Sequence, residues 1–591
     1  MKRILSLILI LALVLILPVG CGDSATTDSG TNSGSTDTGS TDTGDTGDTG
    51  STDTGSDMSD TYLVWNIGAD PRTFDPGLNN ASDGGDIIQN LFEGLYIDGQ
   101  NGLEPGQAES YTLSDDGKTY TFKLREGLMW SDGQPLTAKD FEYAWKRVCD
   151  PNTASEYSFI VLPYLKNAQK YYDGEVSADE IGVTAKDDTT LVVELENPCS
   201  YFMNLVSFYT YFPVRQDIIE ANGEGWEKDP MTCVSNGPFM LEDYQIGSHL
   251  DMKKNPNYRQ ADMVKLAGIH GLMIAEATTA LNGYQAGQIQ VNGTIPSDQI
   301  PNLVATDPNF TQEAQIGTYY VIFNCDKAPM NDVRVRKAMA MAIDRKLIVE
   351  QVTKGGQIPA TGFIPPNLAW SDGTSCRELD ANGMPVEEFG IEPNSAKIDE
   401  AKKLLAEAGF PEGEGFPTLV YLYNTSEGHQ KIGEALQEMW KNNLGIEITL
   451  ENEEWATFQQ TRQRGDFDVS RGGWLGDYSD PMTMLDLWTS YSGNNDAQWR
   501  WEEEPITAPH DKILNPENKA FDEAIAEAMI SSGTTKDDAY KKAEQIMIGD
   551  EMIVAPIYYY TNLFVIDQTK VIGVTRTKMG QWMFKEAMVL E

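Results

Sequence analysis

The chain has 591 residues, 40% of them hydrophobic, and its 90 acidic against 44 basic side chains give a formal net charge of −46. So acidic a surface argues against nucleic acid as a partner and disfavours polyanionic ligands, since like charge repels a phosphate backbone. The length exceeds what one hydrophobic core usually organises, so several domains are expected.

Lys2 and Arg3 precede an apolar run from Ile4 to Leu17, followed by Pro18, Val19, Gly20 and Cys21. A run this short does not cross a hydrocarbon core of about 30 Å as a helix, so residues 1–20 read as a cleaved signal peptide. Gly20 directly before Cys21 resembles a bacterial lipobox, although Pro18 stands where that motif usually has leucine. The lipobox reading makes Cys21 a diacylglycerol acceptor and places the protein on the outer face of the cell membrane; the alternative is simple secretion. Residues 21–59 are almost wholly Gly, Ser, Thr and Asp, a composition that cannot build a core and reads as a disordered tether. Cys149, Cys199, Cys233, Cys325 and Cys376 are widely spaced without a Cys-x-x-Cys pair. They fit either isolated buried thiols or one or two disulfides with a thiol left over.

In the body, Tyr120, Phe122 and Leu124 alternate with polar residues until Ser131, Asp132 and Gly133, which reads as a strand and turn. Thr137 and Asp140 form a capping box for a helix whose apolar face is Phe141, Ala144, Trp145 and Val148. TTLVVELENP and NGPFMLEDYQ repeat the strand signature, and a helical stretch follows around Ala275 to Gly287. Beyond TYYVIFNCDKAPMNDV, residues from Val333 to Val352 read as one long helix. DEAKKLLAEAGF is a helix ending at Gly409. The strand TLVYLYN, a helix through Leu436 and Trp440, a strand ending in EITLENEEW and a helix to about Arg464 come next. A helix from Asp537 to Gly549 precedes IVAPIYYYTNLFVI, apolar and aromatic enough for a central strand. Strands and helices alternate without a repeat period, which indicates α/β domains.

The chain has no H-E-x-x-H, no P-loop and no dinucleotide glycine fingerprint, and its only histidines are at 249, 270, 429 and 510. No enzyme, metal site or cofactor is signalled. The run FDVSRGGWLGDYSDP sets Arg471, Trp474 and Asp477 among glycines directly after the half-buried strand signature of Phe467 and Val469. It reads as a ligand-facing loop, where glycine admits close backbone approach and aspartate meets an ammonium, or as a surface turn with a packing tryptophan.

From these residues the body resembles the oligopeptide-binding members of the solute-binding family that also takes dipeptides and nickel. LREGLMWSDGQPLTAKDFEYAWKR, DPNTASEY, NGPF, KAPMNDVRVRKAMAMAIDR, AKKLLAEAGF, YNTSEGH, NLGIEITLENEEWATFQQTR and RGGWLGDY follow in the family's order. The resemblance implies an α/β, three-domain, two-lobed fold of the periplasmic-binding-protein type, with a hinge and an interlobe cleft. It implies domain I from 60–105, 230–316 and 557–591, domain II from 106–229 and domain III from 317–556. It further implies an extended peptide enclosed between the lobes and handed to the permease of an ABC importer by a monomeric receptor. Asp477 matches the position that takes the peptide α-ammonium, and Arg471 and His429 match positions serving C-termini at different lengths, His429 adding pH sensitivity. Asn424, Trp455, Arg462, Trp474, Tyr157, Tyr320 and Glu93 match pocket positions, and Glu93 and Gly473 would support main-chain pairing. Two departures stand out. The lysine of some relatives falls at Thr353, with Lys354 beside it, and a disulfide clamp found in some relatives falls at Leu475 and Gly317. The same fold taking a dipeptide, a cell-wall peptide or a metal chelate is the second reading, and an exported peptidase the third.

Overall fold

The computed structural model describes residues 62–99, 102–500, 515–577 and 579–590, all within one compact unit, Ser56–Glu591. The signal peptide, Cys21 and the tether lie outside the described residues.

Alternation of apolar and polar residues builds a large mixed sheet. In spatial order its strands are Ile448–Glu453, Leu419–Asn424, Val469–Leu475, Phe310–Phe323, Val554–Ile566, Val291–Asn292, Tyr62–Asn66, Gly268–Leu272, His249–Lys254 and Phe239–Gln245. The two long strands in the middle, Phe310–Phe323 and Val554–Ile566, join its two halves. They pair antiparallel in two stretches, Phe310–Ala314 with Thr561–Val565 and Thr318–Ile322 with Val554–Tyr559, and the register shifts between them. The first stretch is continuous with Val291–Asn292 and the second with Val469–Leu475. The aromatic strand expected to be central is therefore one of the two that cross from half to half.

A separate antiparallel sheet has the order Ala108–Leu113, Thr119–Leu124, Thr190–Glu194 and Val183–Asp187. The helix Ala138–Val148 packs on it with Phe141, Ala144, Trp145 and Val148 buried, and its capping box is closed, Asp140 accepting from the Thr137 backbone N–H at 2.7 Å. Two expectations are corrected. The helix beginning at Val333 stops at Met341, and a second starts at Arg345 after Asp344, whose carboxylate caps the Leu347 N–H at 2.9 Å. Arg345, fully buried there, donates to the carbonyls of Ala340, Ile343 and Pro556, which fixes the break. The run VSRGGWL is not a loop but the strand Val469–Leu475, paired on one side with Phe310–Phe323 and on the other with Leu419–Asn424. The five body cysteines are all free and buried, which decides for isolated thiols.

Candidate functional site

A cavity of about 320 Å³ lies where Val469–Leu475 and the turn after it face residues carried by the other half of the molecule. Its floor is set by strand pairing. Tyr320 stands opposite Gly472 and Tyr319 opposite Gly473. A Cβ on Gly472 would come within 2.3 Å of the Tyr320 ring, and one on Gly473 within 2.3 Å of the Tyr560 hydroxyl. The two glycines thus make room for tyrosines of the neighbouring long strands, which then line the cavity. One wall is the helix Trp455–Gln463, where Trp455, Gln459 and Arg462 fall at helical spacing on one face and all reach the cavity.

Asp477 follows the strand by two residues. Its backbone N–H donates to the Thr483 hydroxyl at 2.8 Å, and the Trp474 indole donates to the Thr483 carbonyl at 2.6 Å, so Thr483 holds both side chains in place. The Tyr157 hydroxyl lies 3.1 and 3.2 Å from the two Asp477 carboxylate oxygens, and the Tyr157 ring stacks on Trp474 with centroids 6.1 Å apart. Burial, reinforced by the neighbouring Asp486 carboxylate, pushes the Asp477 carboxyl well above its ordinary range, and the Tyr157 hydrogen bond only partly opposes this. No lysine or arginine among the described residues is paired with it.

Farther along the strand, Arg471 lies within 6 Å of the Tyr319, Trp455 and Phe458 ring centroids. Its Nη2 donates to His429 Nε2 at 3.0 Å, while its buried Nε has no partner among the described residues. Burial and then the Arg471 charge hold His429 well below its ordinary pKa. The neutral ring accepts on Nε2 and turns Nδ1 toward the Tyr319 hydroxyl, 3.3 Å away. In this arrangement His429 does not change charge near neutrality, contrary to the expected pH sensitivity. Arg462 is paired with Asp496 at 2.6 Å, and burial still raises Asp496 to about 6.

The cavity therefore brings together Asp477, Arg471, Trp474, Gly473, His429, Trp455, Arg462, Tyr320 and Tyr157. Three expected residues are elsewhere. The Glu93 carboxylate is saturated by Arg259, Tyr258 and the Gln107 amide, the last at 2.9 Å, in a buried cluster away from the cavity. Asn424 ends its strand opposite Glu453 and does not line the cavity. Lys354 is an exposed residue with φ of 56° at the end of a helical turn and borders a different depression with Lys346 and Gln357. Leu475 and Gly317 are direct register partners, the leucine packing over the glycine. Asn80, Tyr209, Gln315, Tyr560 and Gln581 also line the cavity and were not singled out from sequence. They come from remote segments, and only the pattern IYYYTN around Tyr560 carried a local signal. Among the described residues no group of His, Cys, Asp and Glu is arranged to hold a metal ion, and no helix is long and apolar enough to cross a membrane.

The family model described as bacterial extracellular solute-binding proteins, family 5 Middle, matches residues 102–496. The oligopeptide-binding protein OppA of Bacillus subtilis is 36% identical over 535 residues, covering 89% of this chain and 92% of that one. A crystal structure of Haemophilus influenzae OppA in complex with the peptide RPPGFSPFR superposes with a TM-score of 0.79 at 32% identity, over 90% of this chain and 99% of that one. The Escherichia coli murein tripeptide-binding protein MppA superposes at 0.79 over 90% and 99% of the two chains, and an unliganded open form of MppA at 0.58 over 90% and 97%, each at 33% identity.

Proposed function

The chain belongs to the bacterial extracellular solute-binding proteins of family 5, and from that membership we propose that it captures oligopeptides between two closing lobes and delivers them to an ABC-type importer. The observation that carries the reading is Asp477, a carboxyl that no lysine or arginine among the described residues pairs with, on the wall of a cavity bounded by both halves of the molecule. Burying an ion is costly unless it is paired, so such a site favours ligands that bring a cation, as the α-ammonium of a peptide does. Arg471, with a free Nε and His429 at its side, is suited to gripping the terminal carboxylate. From Arg471 to Leu475 the strand covers about 13 Å, roughly the reach of an extended peptide of about four residues. The better superposition on MppA than on its open form is consistent with the lobes being closed together here.

Trp474, Trp455, Tyr320, Tyr157 and Arg462 act as the walls that house side chains, and Gly473 leaves main chain available beside them. The register shift between the two long strands supports a hinge at the boundary of 60–105, 230–316 and 557–591 with 317–556, and 106–229 holds the four-stranded sheet whole. The receptor acts as a monomer, anchored outside the cytoplasmic membrane through Cys21, and releases its peptide unchanged. Replacing Asp477 by alanine is expected to cost about 2–5 kcal/mol of peptide binding, measured by titration calorimetry; unchanged affinity would remove the role given to this carboxylate.

A further inference from the structure

Beside the cavity, but not on its wall, a second set of contacts spans the two lobes. Tyr201, from the lobe of the four-stranded sheet, is 5% exposed and stacks on Tyr478 of the other lobe, ring centroids 5.8 Å apart and planes 5° from parallel. Each ring is braced within its own lobe. The Tyr201 hydroxyl is 3.0 Å from the Tyr164 hydroxyl, and the Tyr478 hydroxyl donates to Asp486 at 2.6 Å. Lys536 Nζ sits 5.6 Å from the centroids of both Tyr201 and Tyr540, and is paired with Asp480 at 2.7 Å. The Tyr540 hydroxyl donates to the other Asp480 oxygen at 2.6 Å. One lobe therefore presents a preassembled socket, an aromatic ring beside a fixed cation, and the other inserts a single tyrosine.

The segment that carries the socket also carries the ligand carboxylate. Asp477 lines the cavity, while Tyr478 and Asp480 do not, and Thr483 ties the turn back to Asp477 and Trp474. Closing on a ligand at Asp477 therefore delivers Tyr478 to Tyr201 in the same movement.

We propose that Tyr201 docking between Tyr478 and Lys536 is a ligand-independent latch that positions the closed lobes and sets affinity equally for every bound peptide. The proposal rests on the reading of a cleft that closes on peptides. Because none of the three side chains touches the cavity, their contribution is to the closing equilibrium alone and enters each dissociation constant as the same factor.

The test is a double-mutant cycle with Tyr201→Leu and Tyr478→Leu, repeated with Tyr201→Leu and Lys536→Met, on the full chain, with trialanine and pentaalanine as probes. Each single substitution is expected to weaken both peptides by the same factor, about three- to tenfold as for a stacked aromatic pair. The double variants should be no weaker than the worse single one, because a broken latch cannot be broken twice. The melting temperature of the ligand-free proteins reads any separate effect on lobe stability. Unchanged affinity, a loss that differs between the two peptides, or simple additivity across the lobes overturns the latch. Should the wild-type protein bind neither peptide, the peptide reading fails, and small-angle scattering of the ligand-free proteins then decides for the latch if the variants are more open than wild type and against it if the curves coincide.

Discussion

Ionising Asp477 in the closed cleft sets a carboxylate against burial and against Asp486, itself raised to about 7 mainly by burial. A solvated aspartate ionises near 3.8, whereas the closed form keeps Asp477 protonated to a well higher pH. Between those values the closed form binds the extra proton, so raising the pH across that window disfavours closure without ligand, and Asp486 acts in the same direction. On the proposed function, a peptide ammonium relieves the cost at Asp477. The ligand-free closed population should therefore fall as pH rises above about 3.8, and Asp477→Asn should flatten that dependence, as followed by small-angle scattering. Glu93 has its oxygens taken up inside the fold. Its neighbours in sequence match the family's pocket pattern, but Arg259 and Tyr258, more than 160 positions away, occupy its oxygens. Glu93→Ala should leave the partly buried Arg259 guanidinium and the Tyr258 hydroxyl without their acceptor and cost about 1–3 kcal/mol of folding stability in denaturant titration, with peptide affinity of the folded protein unchanged. Residue type and motif were enough to single out Asp477 and Arg471, both of which line the cavity. They could not find what a side chain would meet across the fold, which is why Glu93, Asn424 and Lys354 were assigned to a cavity they do not line.

Secondary-structure elements were legible where their causes are local. The Thr137–Asp140 box, the buried face behind it and the stop at Gly409, whose φ is +100°, all depend on neighbours within a few positions. The strand Val469–Leu475 was hidden because two glycines have low strand preference, and what makes it a strand is pairing on both edges with segments 150 and 50 or so positions away. Its glycines answer to Tyr320 and Tyr560, not to propensity. Gly473→Ala should therefore push the Tyr560 hydroxyl off its place on the cavity wall. The expected effect is a loss of about 1–3 kcal/mol in peptide binding or in stability, separated by comparing calorimetric affinity with the melting temperature of the ligand-free protein. The break between Met341 and Arg345 was invisible for the same reason, since Arg345 is held by the Pro556 carbonyl of the crossing strand.

At the scale of the whole molecule, the sequence order of α and β signals indicated the α/β class, and the family motifs indicated two lobes. Where the two halves join shows only in three dimensions, at the shift of register between Phe310–Phe323 and Val554–Ile566. Those strands divide the molecule so that the cavity draws Tyr157 and Asn80 from one side and Asp477 and Arg471 from the other. Such a site is complete only when the lobes meet, so the proposed function couples recognition to closure through the ligand's charge. The most direct measurement is native mass spectrometry of the protein with a mixed pool of short peptides and, separately, with the same pool N-acetylated. Free-amino peptides should be retained intact, and acetylation, which removes the cation that would face Asp477, should abolish retention. Equal retention of both pools would contradict the role of Asp477, and retention of neither would contradict the capture of peptides.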